Sequence, residues 1–480
     1  MNSIKNSDLL YRFITWLLFS DALRNRLRVI LKRIVASSLK GGKKNRFSNQ
    51  TPRIRHEKIM MVDSVLHSLE NSIKKGALKK NVVRSVLKLW GSSLTISRQA
   101  EPEVKKFHKE YGFNPPWLLV ISPGHLCNLK CRDCYASSGN RDSKLDWDVL
   151  DKLIKDAKKK WGIKLVVFSG GEPFAYRSQG KGIMHIVKEN PDCLFLSFTN
   201  GTLIDDNTIS ELAKYKNLTP AYSVEGFQEV TDRRRGKGIF NKLLTSMQSM
   251  RDKGLPFGIS VTVNKNNCME VLDDKFLDFF FNQQDAFYCF YFQYLPIGRN
   301  ADFDLMPDAQ QRASFYNKIW SQIEKNKYFL IDFWNHGSLV NGCIAAGREG
   351  GYFYVDWNGK VMPCVFAPYG AGNINDIYRD NKMTLNDIWN LPFYSGIRKW
   401  QRDFGFGAKK ATKNGNLLRP CPYRDHHKQF LKWIEEYDIE PEDSSAKELL
   451  AKSDISKKMI KYDKELKSLF DPIWEKDYLE

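Results

Sequence analysis

Short apolar runs alternate with amphipathic stretches through the middle of the chain. From about residue 117, six β-rich runs are separated by helical stretches and polar turns. The runs lie near residues 117–122, 164–169, 193–199, 219–224, 257–263 and 287–295, with helices such as 146–160 and 239–253 between them. Repeated βα units predict a parallel sheet, and six units fall short of the eight that close a full barrel. We therefore expect an α/β fold, a partial (βα)6 TIM-like barrel with its functional loops after the strand C-terminal ends.

The flanks of this barrel have different patterns. Residues 8–40 are predicted to be helical, a Gly-Gly-Lys-Lys-Asn run at 41–45 predicts a linker, and a second helical region lies near 56–90. Beyond residue 330, short strands and glycine turns predict a small α+β unit, and a charged helical tail follows. The predicted domains are a basic amphipathic helical segment at 1–50, a helical region and linker at 51–114, the barrel core at 115–300, the α+β unit at 301–428 and the tail at 429–480.

Charge is concentrated at the N-terminus. The chain of 480 residues is 42% apolar, which favours a globular protein, and carries a net charge of +20. Residues 1–100 hold 21 basic and 5 acidic side chains, or +16 of that total. An anionic partner would therefore bind there. The first part of the helical segment is apolar along one side, and the part that follows is strongly basic. The members are Leu9, Leu10, Phe13, Ile14, Trp16, Leu17 and Leu18, then Arg24, Arg26, Arg28, Lys32 and Arg33.

This segment predicts peripheral contact with an anionic membrane surface. A solvated helix packed on its own domain is the main alternative, and nucleic acid is less favoured because no RNA-binding fold is recognisable. No apolar run approaches the roughly 18–20 residues that span a bilayer. The best run, residues 9–19, is interrupted by Arg12 and lacks the flanks of a secretory signal. We expect a cytoplasmic protein, peripheral on the inner face of the membrane.

Three cysteines follow the first predicted strand in a C-x3-C-x2-C arrangement, at Cys127, Cys131 and Cys134. Structural zinc sites usually take four ligands from two separated pairs, which this cluster does not offer. An iron–sulfur cubane normally takes four thiolates, so three leave one iron open for chemistry. The second strand ends in Gly170-Gly171-Glu172-Pro173, where two residues without Cβ permit close backbone approach. A ligand is expected at this turn.

The cysteine triplet, the aromatic Tyr135 beside its last cysteine and the Gly-Gly-Glu-Pro turn together resemble the radical S-adenosylmethionine (AdoMet) enzyme family. The resemblance implies that the cysteines hold a [4Fe-4S] cluster whose fourth iron is chelated by AdoMet. One electron, from a donor such as flavodoxin or ferredoxin, would then cleave AdoMet. The 5'-deoxyadenosyl radical so formed would abstract hydrogen from a substrate; the catalytic residues that assist this step are not identified by the sequence.

The same resemblance implies AdoMet contacts at the ends of three strands, the second, third and fourth. These predicted cofactor-binding residues are Gly170, Gly171, Glu172, Pro173, Asn200, Ser223 and Glu225. Asp232, Arg235, Gly236, Gly238 and Phe240 match a further run that recurs in the same group.

A second set of cysteines, Cys343, Cys364 and Cys421, resembles a shortened SPASM or twitch extension, which binds auxiliary iron–sulfur clusters in part of the family. Arg424 stands where the full pattern has its next cysteine. Three thiolates support at most one auxiliary cluster, with a fourth ligand from His426, Asp425, water or substrate. Alternatively, these three cysteines are core thiols. Core burial is also our prediction for Cys193, Cys268 and Cys289.

The substrate is the least determined feature. The sixth strand and its approach are rich in phenylalanine and tyrosine, and alternation along a strand puts some of these rings inside the barrel. An apolar lining and the amphipathic segment together favour a lipid or membrane-associated substrate. The alternatives are a peptide-modifying enzyme, which the SPASM-like extension favours, and a non-catalytic iron–sulfur electron-transfer or AdoMet-binding protein.

Overall fold

A computed structural model describes residues 2–40, 50–93, 101–345, 347–380, 383–406, 415–448, 450 and 453–479. Within these residues nine strands form one sheet in the order β7-β6-β5-β4-β3-β2-β1-β8-β9. The strands are β1 (Leu118–Ile121), β2 (Leu165–Phe168), β3 (Leu194–Thr199), β4 (Leu218–Val224), β5 (Gly258–Val263), β6 (Cys289–Gln293), β7 (Leu330–Asp332), β8 (Tyr352–Val355) and β9 (Val361–Met362). Adjacent strands from β7 to β8 pair in parallel, and β9 pairs antiparallel with β8.

Helices precede, connect and follow these strands. Four lie before the barrel: α1 (Asn2–Phe19), α2 (Asp21–Lys40), α3 (Pro52–Lys74) and α4 (Lys80–Ser93). The other α-helices of the described residues are Pro102–Tyr111, Trp147–Trp161, Ile183–Glu189, Asp206–Tyr215, Gln228–Arg235, Ile239–Asp252, Asp274–Asp278, Ala309–Asn326, Gly337–Val340, Ile374–Tyr378, Leu385–Trp389, Pro392–Gln401, His427–Glu436, Ser444–Glu448 and Asp454–Trp474.

The predicted partial barrel is confirmed, and the sheet is wider than the sequence indicated. All six predicted strands are present, and β7 and β8 add a parallel strand at each edge. Both come from the predicted 301–428 unit, and β8 pairs directly with β1, with Leu118 opposite Tyr352. Both strands lie beyond the repeated βα pattern, and a local pattern does not specify which strand a segment pairs with, so the sequence did not place them in the barrel sheet. The proposed domain boundaries stay predictions.

The N-terminal helices contact the chain just before β5 and β6, at the strand N-terminal end of the barrel. The segment predicted to be helical over 8–40 comprises two helices, α1 and α2, which Ser20 separates. The backbone N–H of Lys79, just before α4, donates to the carbonyl of Gly254, which precedes β5. Phe287, which precedes β6, packs on a cluster that includes Leu18 and Val83. The predicted linker at 41–45 lies outside the described residues. Among the described helices, none combines the length and the apolar character needed to cross a bilayer.

Candidate functional site

The three cysteines after β1 open into a cavity of about 310 Å³ at the strand C-terminal ends. Cys127, Cys131 and Cys134 are half-buried and are not in disulfides. Polar residues from β2 to β5 and their loops share the lining, and apolar residues line the rest. The polar members are Ser138, Ser169, Gly170, Gly171, Thr199, Asn200, Ser223, Arg234, Arg235, Ser260 and Thr262. The parallel sheet therefore brings together groups that lie more than 100 residues apart in sequence.

The glycine pair after β2 seats the cysteine loop against the sheet. A Cβ at Gly171 would lie 2.3 Å from the carbonyl oxygen of Leu126, and Gly170 has φ of +101°, which only glycine adopts readily. The N–H of Gly171 donates to the carbonyl of Gly124 at 3.0 Å, and the N–H of Glu172 donates to that of Leu126 at 2.9 Å. The two glycines line the cavity as predicted, and they also fix the backbone that carries the cysteines.

Two further contacts hold the same loop. The hydroxyl of Tyr135 lies 2.8 Å from Ser169 Oγ and accepts the N–H of Gly170 at 3.0 Å, so this aromatic residue ties the triplet to the glycine turn. From the far side of the barrel, Arg299 donates from its backbone N–H to the carbonyl of Cys134 and from its guanidinium to that of Cys131. Through Arg299, the loop after β6 therefore holds the cysteine loop in place.

Asn200 and Glu172 connect β3 to this arrangement. Asn200 lines the cavity, and its Nδ2 donates to Asn128 Oδ1 at 2.9 Å and lies 3.6 Å from Cys127 Sγ. Glu172 is buried, and its carboxylate accepts the hydroxyl of Thr199 and the N–H groups of Asn200 and Phe174. Burial raises the pKa of Glu172 to about 7 against these three donors. Glu172 and Pro173 are not among the residues that line the cavity, and their contact with the cofactor stays a prediction.

At the end of β4, Ser223 lines the cavity and Glu225 lies behind it. Ser223 Oγ lies 3.2 Å from Ser260 Oγ. Glu225 is buried and is bound by Arg234 and Arg235, and these two arginines present their side chains to the cavity. Its other oxygen, Oε2, has no hydrogen-bond partner among the described residues. Glu225 binds the two arginines that line the site, and its own contact with AdoMet stays a prediction.

Sequence reasoning missed Arg234 and undervalued Arg235. Arg234 also binds Asp133, between the second and third cysteines, at 2.6 Å, so it joins β4 to the cysteine loop. The recurrent run that includes Asp232 was the available signal. Asp232 itself accepts the N–H groups of Gly238 and Phe240, both at 2.8 Å, and so shapes the turn after these arginines. Ser260 and Thr262 of β5 carried no sequence signal.

The cysteine triplet fits an iron–sulfur cluster by its donor set. Three thiols face one cavity, and the N–H of Leu129 lies 3.4 Å from Cys127 Sγ, in the direction of a hydrogen bond to sulfur. Burial raises the pKa of the free Cys127 thiol to about 12. Burial also raises the pKa of Cys131, although the positive charges of Arg235 and Arg234 lower it. In the described residues no three His, Cys, Asp or Glu side chains are arranged to share one metal ion. A cubane instead binds each thiolate to a different iron.

The second cysteine set converges as well. Cys343, Cys364 and Cys421 line one small cavity of about 20 Å³, together with Phe333, Trp334 and Phe366. Each sulfur lies 3.4 Å from a backbone N–H, and the Tyr352 hydroxyl donates to Cys364 Sγ at 3.0 Å. Hydrogen bonds to sulfur are a usual feature of cluster sites. The cavity holds about one water, so these side chains must separate to admit a cluster.

Neither predicted protein candidate for a fourth auxiliary ligand lines this cavity. His426 Nε2 lies 2.9 Å from the carbonyl of Arg419, and its ring packs on Trp400 and Phe404. Asp425 is fully buried in ion pairs with Arg312 and Arg424. Their burial and existing partners therefore speak against both residues as ligands. Cys193, Cys268 and Cys289 are buried in the apolar core, as predicted.

The barrel interior below the triplet is aromatic. In β6 the even positions, Phe290 and Phe292, are half-exposed to the cavity, whereas Cys289, Tyr291 and Gln293 are buried on the opposite face. Leu196 and Phe198 of β3 face the same space. The alternation predicted for the sixth strand therefore produces an apolar chamber directly beneath the polar groups of the strand ends.

Comparison with known proteins agrees with this geometry. The model of the radical SAM superfamily matches residues 121–273, and that of the SPASM iron–sulfur cluster-binding domain matches residues 343–422. The AdoMet-dependent heme synthase of Methanosarcina barkeri (strain Fusaro / DSM 804) is 26% identical over 347 residues, 65% of this chain and 96% of that protein. The cysteine-type anaerobic sulfatase-maturating enzyme of Clostridium novyi (strain NT) is 25% identical, over 63% of this chain and 86% of that protein.

Among solved structures, Streptococcus suis SuiB bound to its precursor peptide SuiA aligns with a TM-score of 0.51 at 17% identity, over 71% of this chain and 83% of SuiB. This likeness concerns the fold. The matched region of the superfamily model contains the cysteine triplet and the glycine turn, and the SPASM match contains Cys343, Cys364 and Cys421. The chain is therefore a radical SAM enzyme with a C-terminal SPASM domain, and its cofactors are a [4Fe-4S] cluster, AdoMet and auxiliary iron–sulfur.

Proposed function

We propose that this enzyme abstracts a hydrogen atom from a side chain of a peptide or protein substrate that enters the cavity beside the cysteine triplet. The sequence pattern favoured a lipid substrate, with a peptide substrate as the alternative. The relatives favour the second, because they include a sulfatase-maturating enzyme and, with 27% identity over 55% of this chain, the mycofactocin maturase of Mycolicibacterium smegmatis (strain ATCC 700084 / mc(2)155). The observation that carries the reaction type is the convergence of three thiols, two glycines and two arginines on one cavity.

When bound, the cluster and AdoMet supply a 5'-deoxyadenosyl radical by one-electron cleavage of a carbon–sulfur bond, with methionine as the other product. We propose Cys127, Cys131 and Cys134 as the cluster ligands. The electron comes from a small donor protein such as flavodoxin or ferredoxin. With both groups bound, a substrate carbon held in the cavity would give a hydrogen atom to this radical, which would yield 5'-deoxyadenosine and a substrate radical.

The chain's own side chains position and protect this reaction. Arg234 and Arg235 place two guanidinium groups on the cavity wall beside the triplet, and these suit an anionic group such as the carboxylate of AdoMet. Asn200 and Ser223 supply polar contacts on the neighbouring strands. The phenylalanine rings of β3 and β6 exclude water from the chamber, which limits quenching of a radical by solvent-borne reactants.

A second candidate substrate is an apolar molecule such as a lipid, and one observation favours it. The lower cavity wall is formed by aliphatic and aromatic side chains, and its strands contribute no charged group there. The members are Leu118, Val120, Leu165, Val167, Leu196, Phe198, Phe290 and Phe292. An amino-acid side chain fits such a chamber as well as an acyl chain does, so the cavity alone does not choose between them.

Deuterium transfer separates these substrates. Cells grown in deuterated medium provide a perdeuterated peptide digest and a perdeuterated lipid extract, each added to reconstituted enzyme with unlabelled AdoMet and dithionite. Mass spectrometry of 5'-deoxyadenosine then reports the hydrogen source. We expect deuterium from the peptide digest, none from the lipids, and none from either with the variant C127A/C131A/C134A. Label from the lipids alone would replace the peptide by the second candidate, and label from neither would overturn both.

We place the enzyme in the cytoplasm. All nine cysteines are free thiols in the structure, and six of them surround the two cavities. Thiols and iron–sulfur clusters persist in a reducing compartment, whereas an oxidising one favours disulfides. Fractionation of cells that express a tagged chain tests this: release with periplasmic proteins would contradict it.

A further inference from the structure

The outward side of the two N-terminal helices is apolar. Of the nine large hydrophobic residues exposed in the described part of the chain, seven lie on α1 and α2. They are Leu9, Leu10, Phe13, Trp16, Val29, Ile30 and Ile34, and we call them the α1–α2 outer face. Single exposed hydrophobic residues are ordinary, but such a concentration on two adjacent helices marks an interaction surface.

The ionic side of α2 points inward and explains this orientation. Arg28 pairs with Asp63 at 2.8 Å and with Glu70 at 3.2 Å, and Lys32 pairs with Asp63 at 2.9 Å; both acids lie on α3. Arg24 is buried and binds the carbonyl of Leu18 and the carboxylate of Asp21. These ion pairs hold Arg28 and Lys32 of α2 against α3, while Val29, Ile30 and Ile34 of the same helix are exposed.

Cations remain on the outward side of α2. Arg26 and Arg33 are exposed and alternate along one helical stripe with Val29, Ile30 and Ile34. Between residues 2 and 40 the sequence has eight basic residues and two acidic ones. A face that combines large apolar side chains with cations is complementary to the surface of an anionic bilayer. A second copy of the chain would instead bring like charges together.

We infer that the α1–α2 outer face docks the enzyme on the surface of a membrane that contains anionic phospholipid. Phe13 and Trp16, whose rings stack at 6.0 Å, would enter the boundary between headgroups and acyl chains. Arg26 and Arg33 would lie at the phosphate level. The inward cations would not take part, because α3 already neutralises them. This docking is independent of the proposed substrate.

Vesicle flotation of the full chain tests the inference, with phosphatidylcholine vesicles that either contain or lack phosphatidylglycerol. The wild-type chain should float with the anionic vesicles. The variant F13S/W16S/I30S should bind at least about 2,000-fold more weakly, since each of the three buried apolar side chains contributes about 1.5 kcal/mol or more. The variant R26Q/R33Q should lose about 30-fold on anionic vesicles, at about 1 kcal/mol per arginine, and little on neutral ones.

A matched control uses the two exposed hydrophobic residues outside this face. The variant M269S/V340S replaces residues that are 39% and 41% exposed, and it should float like the wild type. An unchanged melting curve and iron content for F13S/W16S/I30S would show that the fold is kept. Equal flotation of that variant and the wild type would overturn the inference. So would failure of the wild type to bind anionic vesicles, or a wild-type dimer in sedimentation that the variant lacks.

Discussion

Three cysteines line each of the two cavities, but the cavities differ in size and in the polarity of their other lining residues. Around Cys127, Cys131 and Cys134 the cavity measures about 310 Å³ and is lined by two arginines, several hydroxyls and an asparagine. Around Cys343, Cys364 and Cys421 it measures about 20 Å³ and is lined by aromatic rings, prolines and alanines. The first centre has room and polar partners for a small molecule beside the sulfurs. The second is much smaller, and most of its lining is apolar.

The two centres are also neighbours. Phe333 and Phe366 line both cavities, so the same two rings separate one set of sulfurs from the other. β8 is the structural reason, because it pairs with β1 and carries the SPASM segment to the side of the barrel where the cysteine loop begins. An auxiliary centre placed there can influence the reactive one without contact with AdoMet.

The strongest test of the comparison is removal of the first centre. We expect the variant C127A/C131A/C134A to form no 5'-deoxyadenosine above the level without enzyme, and to lose about four irons, the content of one cubane. Anaerobic reconstitution, iron analysis and chromatography measure both. Full AdoMet cleavage by this variant would assign the chemistry to another site.

Removal of the second centre should have a different result. The variant C343A/C364A/C421A should also lose about four irons if one cubane is bound there. It should keep 5'-deoxyadenosine formation under dithionite, because no polar cavity residue of the first centre is changed. Unchanged iron content would show that these cysteines are core thiols.

The glycine turn tests how strictly the first centre depends on its backbone. In Gly171→Ala the new Cβ would lie 2.3 Å from the Leu126 carbonyl oxygen and 2.6 Å from that of His125, so the cysteine loop must shift. A shift of about 1 Å at reacting groups can cost about 100-fold in rate, and we expect that loss in AdoMet cleavage. Gly139→Ala is the control in the same loop, because its Cβ would meet only the Arg299 side chain, at 3.7 Å. Equal rates for both variants would contradict the explanation.

Glu172 predicts a pH dependence of stability. Because burial raises its folded pKa to about 7 from the ordinary 4.5, the folded protein binds a proton that the unfolded chain has released. Stability should therefore fall as pH rises from about 4.5 to about 7, by about 3 kcal/mol. Glu172→Gln cannot ionise, so the difference in unfolding free energy between wild type and variant should change across this range. The exposed Glu229→Gln should show no such change, and a constant difference for Glu172→Gln would contradict the prediction.

The smallest expected effect concerns the reduction potential of the second centre. Tyr352 donates to Cys364 Sγ at 3.0 Å, and a hydrogen bond to a cluster sulfur favours the reduced state. Loss of one bond of about 1 kcal/mol should lower the auxiliary potential by on the order of 40 mV in Tyr352→Phe. Potentiometric titration followed by electron paramagnetic resonance measures it. Tyr369→Phe is the control, since that hydroxyl donates to the carbonyl of Ala446. An equal shift of the potential in both variants would contradict the assignment of the effect to the hydrogen bond between Tyr352 and Cys364.

The sequence alone determined the six central strands, the placement of the cysteine triplet after β1 and the glycine turn after β2, because short-range periodicity and motif spacing encode local structure. The burial of Cys193, Cys268 and Cys289 followed from the same strand patterns. The sequence also shows that the excess positive charge lies in the first 100 residues.

Packing between elements determined which of the predicted side chains line the cavity. Glu172 and Glu225 lie at strand ends as expected, yet hydrogen bonds and ion pairs from other elements bind both carboxylates, and neither residue lines the cavity. Likewise, Arg28 and Lys32 belong to the basic segment but are neutralised by α3. Pairing of groups far apart in the chain depends on packing between elements, which no local pattern of residues specifies.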